Sequence, residues 1–171
     1  MTDDSKATKS AKTEAKDAPA KKPKKFVSPY TYDDPLQAKL VNCIMKNGKK
    51  TVAQRILKEA FEIMYNKGET DVMKTFEKAI QNVTPAMEVK AKRIGGAVYQ
   101  IPIEVKTKRQ VSLPIRWLLD GARSKKNRPM AESLANELID AANERGHAFS
   151  RREEMHRIAQ ANKAFAHLAR Y

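Results

Sequence analysis

Few residues of this 171-residue chain could act chemically, and most of those fail on spacing. Gly48-Lys49-Lys50-Thr51 has the ending of a phosphate-binding loop, but the glycine required five residues upstream is Cys43 and no strand signal precedes it. His156 and His167 stand eleven residues apart, about three helical turns, so they fall on one side of a last helix but too far apart to share an ion. They read as surface or partner-facing histidines. Glu153 and Glu154 are adjacent and point about 100° apart on a helix, which suits a cap and a solvated charge rather than a metal clamp. Cys43 falls on an apolar stripe, where a buried inert thiol is expected, and a lone cysteine can form neither an internal disulfide nor a thiolate cluster. No catalytic residue, metal, cofactor or small-molecule substrate is expected.

What remains is positive charge. The chain holds 34 Lys and Arg against 20 Asp and Glu, a formal +14, which favours a polyanionic partner. From Lys90 to Arg128 only Glu104 and Asp120 oppose eleven basic residues. The charges fall in clusters: Lys21, Lys22, Lys24 and Lys25 in an arm, then Lys49 and Lys50 at a helix junction. Lys90, Lys92 and Arg93 follow on one strand, with Lys106, Lys108 and Arg109 on the return. Arg116, Arg123, Lys125, Lys126 and Arg128 complete the set along a helix and its exit loop. Any one cluster could be a solvated face; together they suit phosphates, with Arg offering a planar fork and Lys a mobile point charge. Aromatics make up only 6% and lie mostly on apolar stripes, so a stacking platform for single-stranded bases is not expected. Trp117 reads as core.

The elements that must position these charges are mainly helical. Asp33 or Asp34 caps a first helix with Pro35 at its first position and Leu36, Leu40, Cys43 and Ile44 inward, ended by Asn47-Gly48. A second runs from about Lys50 to Lys67 with Val52, Ile56, Ala60, Ile63 and Met64 inward, and Gly68 stops it. A third, capped by Thr70 or Asp71, carries Val72, Phe76, Ile80 and Val83 and ends before Pro85. The period then falls to two around Gly95-Gly96, which predicts a β-hairpin at about 87–106 with a projecting basic tip. Ser112 is the expected cap of a fourth helix with Pro114 in its first turn, because an interior proline breaks a helix. A fifth starts at Asn127-Arg128-Pro129, with Met130, Leu134, Ala135, Leu138 and Ala142 inward, and closes at Gly146. Ser150 and Glu153 form the capping box of a sixth that extends through Phe165 and Leu168. The expected fold is a single mainly α domain, residues 26–171, of six helices with one extended hairpin between helices three and four.

Residues 1–25 hold eight Lys and no Val, Ile, Leu, Phe, Trp or Tyr, so they are expected to be a disordered tail and basic arm. They lack the apolar stretch of a secretory signal, and no run approaches the ~18 to 20 apolar residues of a membrane span. A cytoplasmic protein with no membrane partner is expected. The remaining 146 residues, with 26 basic and 16 acidic side chains, are themselves basic at +10 and long enough for one core.

Several blocks, in order, resemble the seventh protein of the small ribosomal subunit in its bacterial form. They include Asp34-Pro35-Leu36, Gly48-Lys49-Lys50, Asn82-Val83-Thr84-Pro85, Arg93-Ile94-Gly95-Gly96 and Tyr99-Gln100-Ile101-Pro102. Arg116-Trp117, Arg152-Glu153-Glu154-Met155-His156-Arg157 and Ala161-Asn162-Lys163-Ala164-Phe165-Ala166-His167 continue the match. The resemblance implies a non-enzymatic helical domain bound to the 3′ major domain of small-subunit ribosomal RNA, nucleating assembly of the head. It implies that Lys22, Lys24, Lys25, Lys49, Lys50, Arg109, Arg116, Arg123, Lys125, Lys126, Arg128 and Met130 touch that RNA. The hairpin, with Lys90, Lys92, Arg93, Gly95 and Gly96, would face exit-site tRNA and the mRNA exit path, and other surfaces would meet neighbouring head and platform proteins. Two departures stand out: the first twenty or so residues exceed the usual bacterial start and take no inherited role, and Pro114 replaces a good helix former. Without the resemblance the alternative is a helical DNA-binding regulator, but its cations would cluster on one recognition helix rather than spread over arm, hairpin and loops.

Overall fold

The computed structural model describes residues 34–170, so the tail, the arm with Lys22, Lys24 and Lys25, and the start of the expected domain lie outside the described residues. The elements run α1 (Pro35–Ile44), α2 (Lys50–Asn66), α3 (Val72–Val83), β1 (Met87–Ile94), β2 (Ala97–Glu104), α4 (Thr107–Ser124), α5 (Met130–Ala142) and α6 (Gly146–Ala161), then a 3₁₀ segment, Lys163–Arg170. The mainly helical class and the hairpin between the third and fourth helices are as expected. The final segment adds a seventh helical element to the six read from the sequence.

Helix starts follow local chemistry at α1, where Asp34 Oδ1 accepts from the Leu36 N–H at 2.9 Å and Pro35 fills a position whose amide would have no partner. The buried stripe of α1 is Gln37, Leu40, Val41 and Ile44, which leaves Cys43 exposed instead of buried. On α2 the buried residues are Ala53, Leu57, Ala60, Phe61 and Met64; Ala60 and Met64 are as expected, Ile56 and Ile63 are half-buried against the core, and Val52 is 39% exposed. One hydrophobic cluster takes residues from all six α-helices. At its centre α5 buries Ala131, Leu134, Ala135, Leu138, Ala141 and Ala142 and packs on α2, α3, α4 and α6. Phe61 and Phe76 meet edge to face across α2 and α3 with ring centroids 5.8 Å apart.

Pro114 is not at the start of α4 but in its interior, and Ser112 is no cap: its hydroxyl donates to the Arg109 carbonyl at 3.2 Å inside the helix. An interior proline costs ~3 kcal/mol. Leu113, Ile115 and Leu118 beside it are each no more than 7% exposed. At about 1.5–3 kcal/mol of burial for each such side chain, packing outweighs the lost hydrogen bond and α4 continues through it.

The ends of α5 and α6 also differ from expectation. Helix α2 ends as read, with Gly68 at φ +101° and the Glu69 N–H donating to the Met64 carbonyl at 3.2 Å. Helix α5 ends in the same motif two residues before Gly146: the Arg145 N–H donates to Asp140 O at 2.7 Å, and Glu144 takes the left-handed position at φ +59°. Gly146 opens α6, and Ser150 lies inside it, donating to the Gly146 carbonyl at 3.0 Å instead of capping. A side chain at a left-handed C-terminal position is strained, so Glu144→Gly is expected to stabilise the protein by about 0.5–1 kcal/mol, read as a higher urea midpoint at unchanged m-value. The sixth helix stops at Asn162, whose side-chain amide donates back to the Ile158 carbonyl at 2.9 Å, and the 3₁₀ segment then brings Phe165 to 5.4 Å from the Tyr99 ring.

The two-residue turn Gly95-Gly96 has φ +57° and +88°, a pair of left-handed positions that glycine takes without a Cβ penalty. It sets the register Ile94↔Ala97 through Met87↔Glu104. Odd residues of β1 therefore pair with even residues of β2, and the two apolar rows point to opposite sides of the ribbon. Met87, Val89 and Pro102 share one side with Arg93; Ile101, Ile103 and Tyr99 share the other with Lys90 and Lys92.

Candidate nucleic-acid interface

Two shallow clefts gather cations that the sequence leaves scattered. The first, of about 310 Å³, lies where the α1–α2 turn meets the end of α4 and the start of α5. Ile44, Val52, Ile56 and Met130 contribute to its lining, with Lys46, Lys49 and Arg123 beside them. Three of the expected RNA-contacting residues, Lys49, Arg123 and Met130, thus meet in one place. Arg123 is aimed by α1 itself: its Nη2 donates to the Cys43 carbonyl at 3.1 Å, satisfying one of the acceptors that a helix C-terminus leaves open. Lys50 begins α2 beside the cleft and is exposed. Lys46 is the member that sequence reasoning missed; its signal was its place one residue before the Asn47-Gly48 turn.

The second cleft, of about 330 Å³, is lined by Lys90, Lys106 and Arg109 with Glu88, Val89 and Ile103. Arg109 Nε donates to Glu88 Oε2 at 2.8 Å, so this guanidinium braces α4 against β1 while its other N–H groups stay available. Lys92 and Arg93 stand nearer the tip on opposite sides of the ribbon, with Gly95 and Gly96 exposed at its end. Arg116 is exposed on α4 and belongs to neither cleft.

The α4–α5 loop presents Lys126 and Arg128 to solvent, whereas the Lys125 side chain is only 33% exposed. Arg128 lies 3.8 Å from Glu132, an exposed pair worth at most about 1 kcal/mol and no obstacle to a phosphate. Among the described residues no group of three or more His, Cys, Asp and Glu side chains could hold a metal, and no helix is long and apolar enough to cross a membrane.

His156 and His167 do not share one helix, because α6 ends at Ala161. His156 is half-buried, and its Nε2 accepts from the Ala86 N–H at 3.2 Å, tying α6 to the chain just before β1. Burial, with the neighbouring Arg152 charge, lowers its pKa against a smaller opposing pull from Glu153. A lowered folded pKa means the unfolded chain takes up the proton first, so this stabilising contribution is complete above the ordinary histidine value and is lost as pH falls below about 6.5. Urea unfolding between about pH 7.5 and 5 is expected to show that loss in the parent protein and a flatter profile in His156→Gln.

A basic helical body that draws lysines and arginines from distant segments around clefts of its own surface has the charge layout that suits a polyanionic partner. The sequence pattern of the family described as "Ribosomal protein S7p/S5e" matches residues 14–163. The chain is 52% identical over 146 residues to the small ribosomal subunit protein uS7 of Nautilia profundicola, covering 85% of this chain and 94% of that protein. It is 50% identical to the protein of the same name from Thermotoga neapolitana, over 80% of this chain and 88% of the relative. Against the Clostridium botulinum protein, also named uS7, the identity is 52% over 80% and 87%. The chain belongs to the ribosomal protein S7p/S5e family, and is a structural protein of the small ribosomal subunit in a family that is not enzymatic.

Proposed function

We propose that the chain binds the 3′ major domain of small-subunit ribosomal RNA, nucleates assembly of the subunit head in the cytoplasm, and directs its hairpin toward exit-site tRNA and the outgoing mRNA. The observation that carries this reading is the convergence of Lys46 and Lys49 from the α1–α2 turn and Arg123 from the end of α4 on one cleft, where Val52 and Met130 supply an apolar floor. Cations set at different angles around a cleft match the uneven phosphate surface of an RNA junction better than the straight groove of a duplex. Lys50, Lys90, Arg109, Arg116, Lys126 and Arg128 extend the same grip, and Lys22, Lys24 and Lys25 add an arm from before the described residues. Neighbouring head and platform proteins would meet the remaining surface.

A competition titration tests the reading: head-domain RNA should displace a labelled RNA far better than random duplex DNA does. Equal affinity for the two would favour a general DNA-binding regulator instead. Replacing Lys92 and Arg93 together is expected to spare RNA binding and disturb tRNA or message handling. Loss of subunit assembly from that pair would contradict the division between body and hairpin.

A further inference from the structure

Glu137 of α5 is fully buried, and three helices are arranged around its carboxylate. Its Oε1 accepts from the Ala148 N–H at 3.0 Å, in the first turn of α6, where open amide donors and the helix dipole favour an anion. Its Oε2 lies 3.1 Å from Lys125 Nζ, which is also 3.6 Å from Asp140 Oδ2. Glycines make the room: a Cβ on Gly121 of α4 would come within 2.8 Å of Glu137 Cδ and Oε1, and one on Gly146 within 2.9 Å of Oε1. A buried carboxylate without a partner is strongly disfavoured, so the ammonium of Lys125 is held between two acids as counter-ion.

We propose that Glu137 is a positioning residue: it takes Lys125 out of the RNA-contacting set and uses it to tie the α4–α5 loop to α5 and the start of α6. Lys126 and Arg128 are thereby left facing outward to meet phosphate. The tie itself is independent of any RNA, whereas the consequence for phosphate contacts rests on the RNA-binding reading. A phosphate approaching Lys125 would have to displace two carboxylates; one approaching Lys126 meets an exposed side chain.

The test is a double-mutant cycle with Lys125→Met and Glu137→Gln, followed by RNA titrations of the folded variants at several salt concentrations. Lys125→Met strands the buried Glu137 carboxylate and is expected to lower Tm by roughly 5 °C or more, whereas Glu137→Gln leaves Lys125 beside Asp140 and should cost less; the double variant should recover most of the Lys125→Met loss. The salt slope of the double variant should equal that of the parent, while Lys126→Met should reduce it by about 0.7–0.9, the value of one phosphate contact. Lys125→Arg, which keeps a charge between the acids, should retain the parent Tm. Additive losses in the cycle would overturn the tie. A double variant whose slope falls as far as that of Lys126→Met would put Lys125 on phosphate and overturn the assignment. If Glu137→Gln alone does not fold, refolding of the double supports the tie, and a double that also fails beside a folded Lys125→Met overturns it. A non-additive cycle in a parent protein with no preference for head-domain RNA would overturn the RNA reading alone.

Discussion

Raising salt from about 50 to about 200 mM is expected to weaken binding to head-domain RNA by roughly 10³- to 10⁵-fold, measured by filter binding or fluorescence anisotropy. The size follows from the number of cations placed to reach phosphate. Lys46, Lys49 and Arg123 stand at one cleft, Lys90, Lys106 and Arg109 at the other, and Arg116, Lys126 and Arg128 are exposed nearby. Even if several of them miss, between six and ten contacts remain a reasonable count with the arm included, and each releases about 0.7–0.9 of a counterion. Replacing Lys46, Lys49 and Lys126 by Gln should lower the slope by about 2–3, with little change in Tm because none of the three is buried. A parent slope near zero would mean that recognition does not run through phosphate neutralisation, and the assignment of these residues would fall with it.

Phe76→Ala is expected to cost about 3–5 kcal/mol of folding stability, the range for emptying a fully buried aromatic site. The ring is completely buried between α2 and α3, so its removal leaves a cavity and also ends the edge-to-face contact with Phe61. A domain of this kind has about 5–15 kcal/mol in total, so the change consumes between a fifth and all of it. Phe76 lines neither cation cleft. The variant should therefore bind RNA with the parent's salt slope wherever it remains folded, at an affinity reduced only by its folded fraction. Unfolding in urea gives the first quantity and RNA titration the second. A drop in slope at full folding would show that core packing shapes the RNA-facing surface directly.

Features set by neighbours in the chain were legible beforehand. Asp34-Pro35 at the start of α1, Gly68 at the end of α2 and Gly95-Gly96 at the hairpin turn all act within a few residues of themselves, and each stands as expected. Features set by competition between local preference and packing were not. Pro114 signals a helix start, but the apolar residues around it hold α4 continuous from Thr107. Gly146 signals the end of α5, yet Glu144 carries the reversal and the glycine is required beside the Glu137 carboxylate. Helical spacing alone puts Cys43 and Val52 inward; the sides from which α2 and α4 cover α1, and α5 covers α2, leave them outside.

The site was half legible. A family resemblance points to Lys49, Arg123 and Met130, and nothing in their order along the chain indicates that they share a cleft. Lys125 reads from sequence as one more phosphate ligand, and only the structure shows the two carboxylates beside it. Register likewise decides what alternation leaves open: both strands alternate as expected, but only the pairing reveals that their apolar rows lie on opposite sides.

The first cleft spans residues from Ile44 to Met130, so its two walls are made at very different times during synthesis. A growing chain displays Lys46 and Lys49 long before α5 exists to hold α4 and Arg123 against them. Until the far wall leaves the exit tunnel, the young polypeptide carries these charges without the cleft that groups them. The grouping begins with completion, and a chain released early carries the charge but not the cleft.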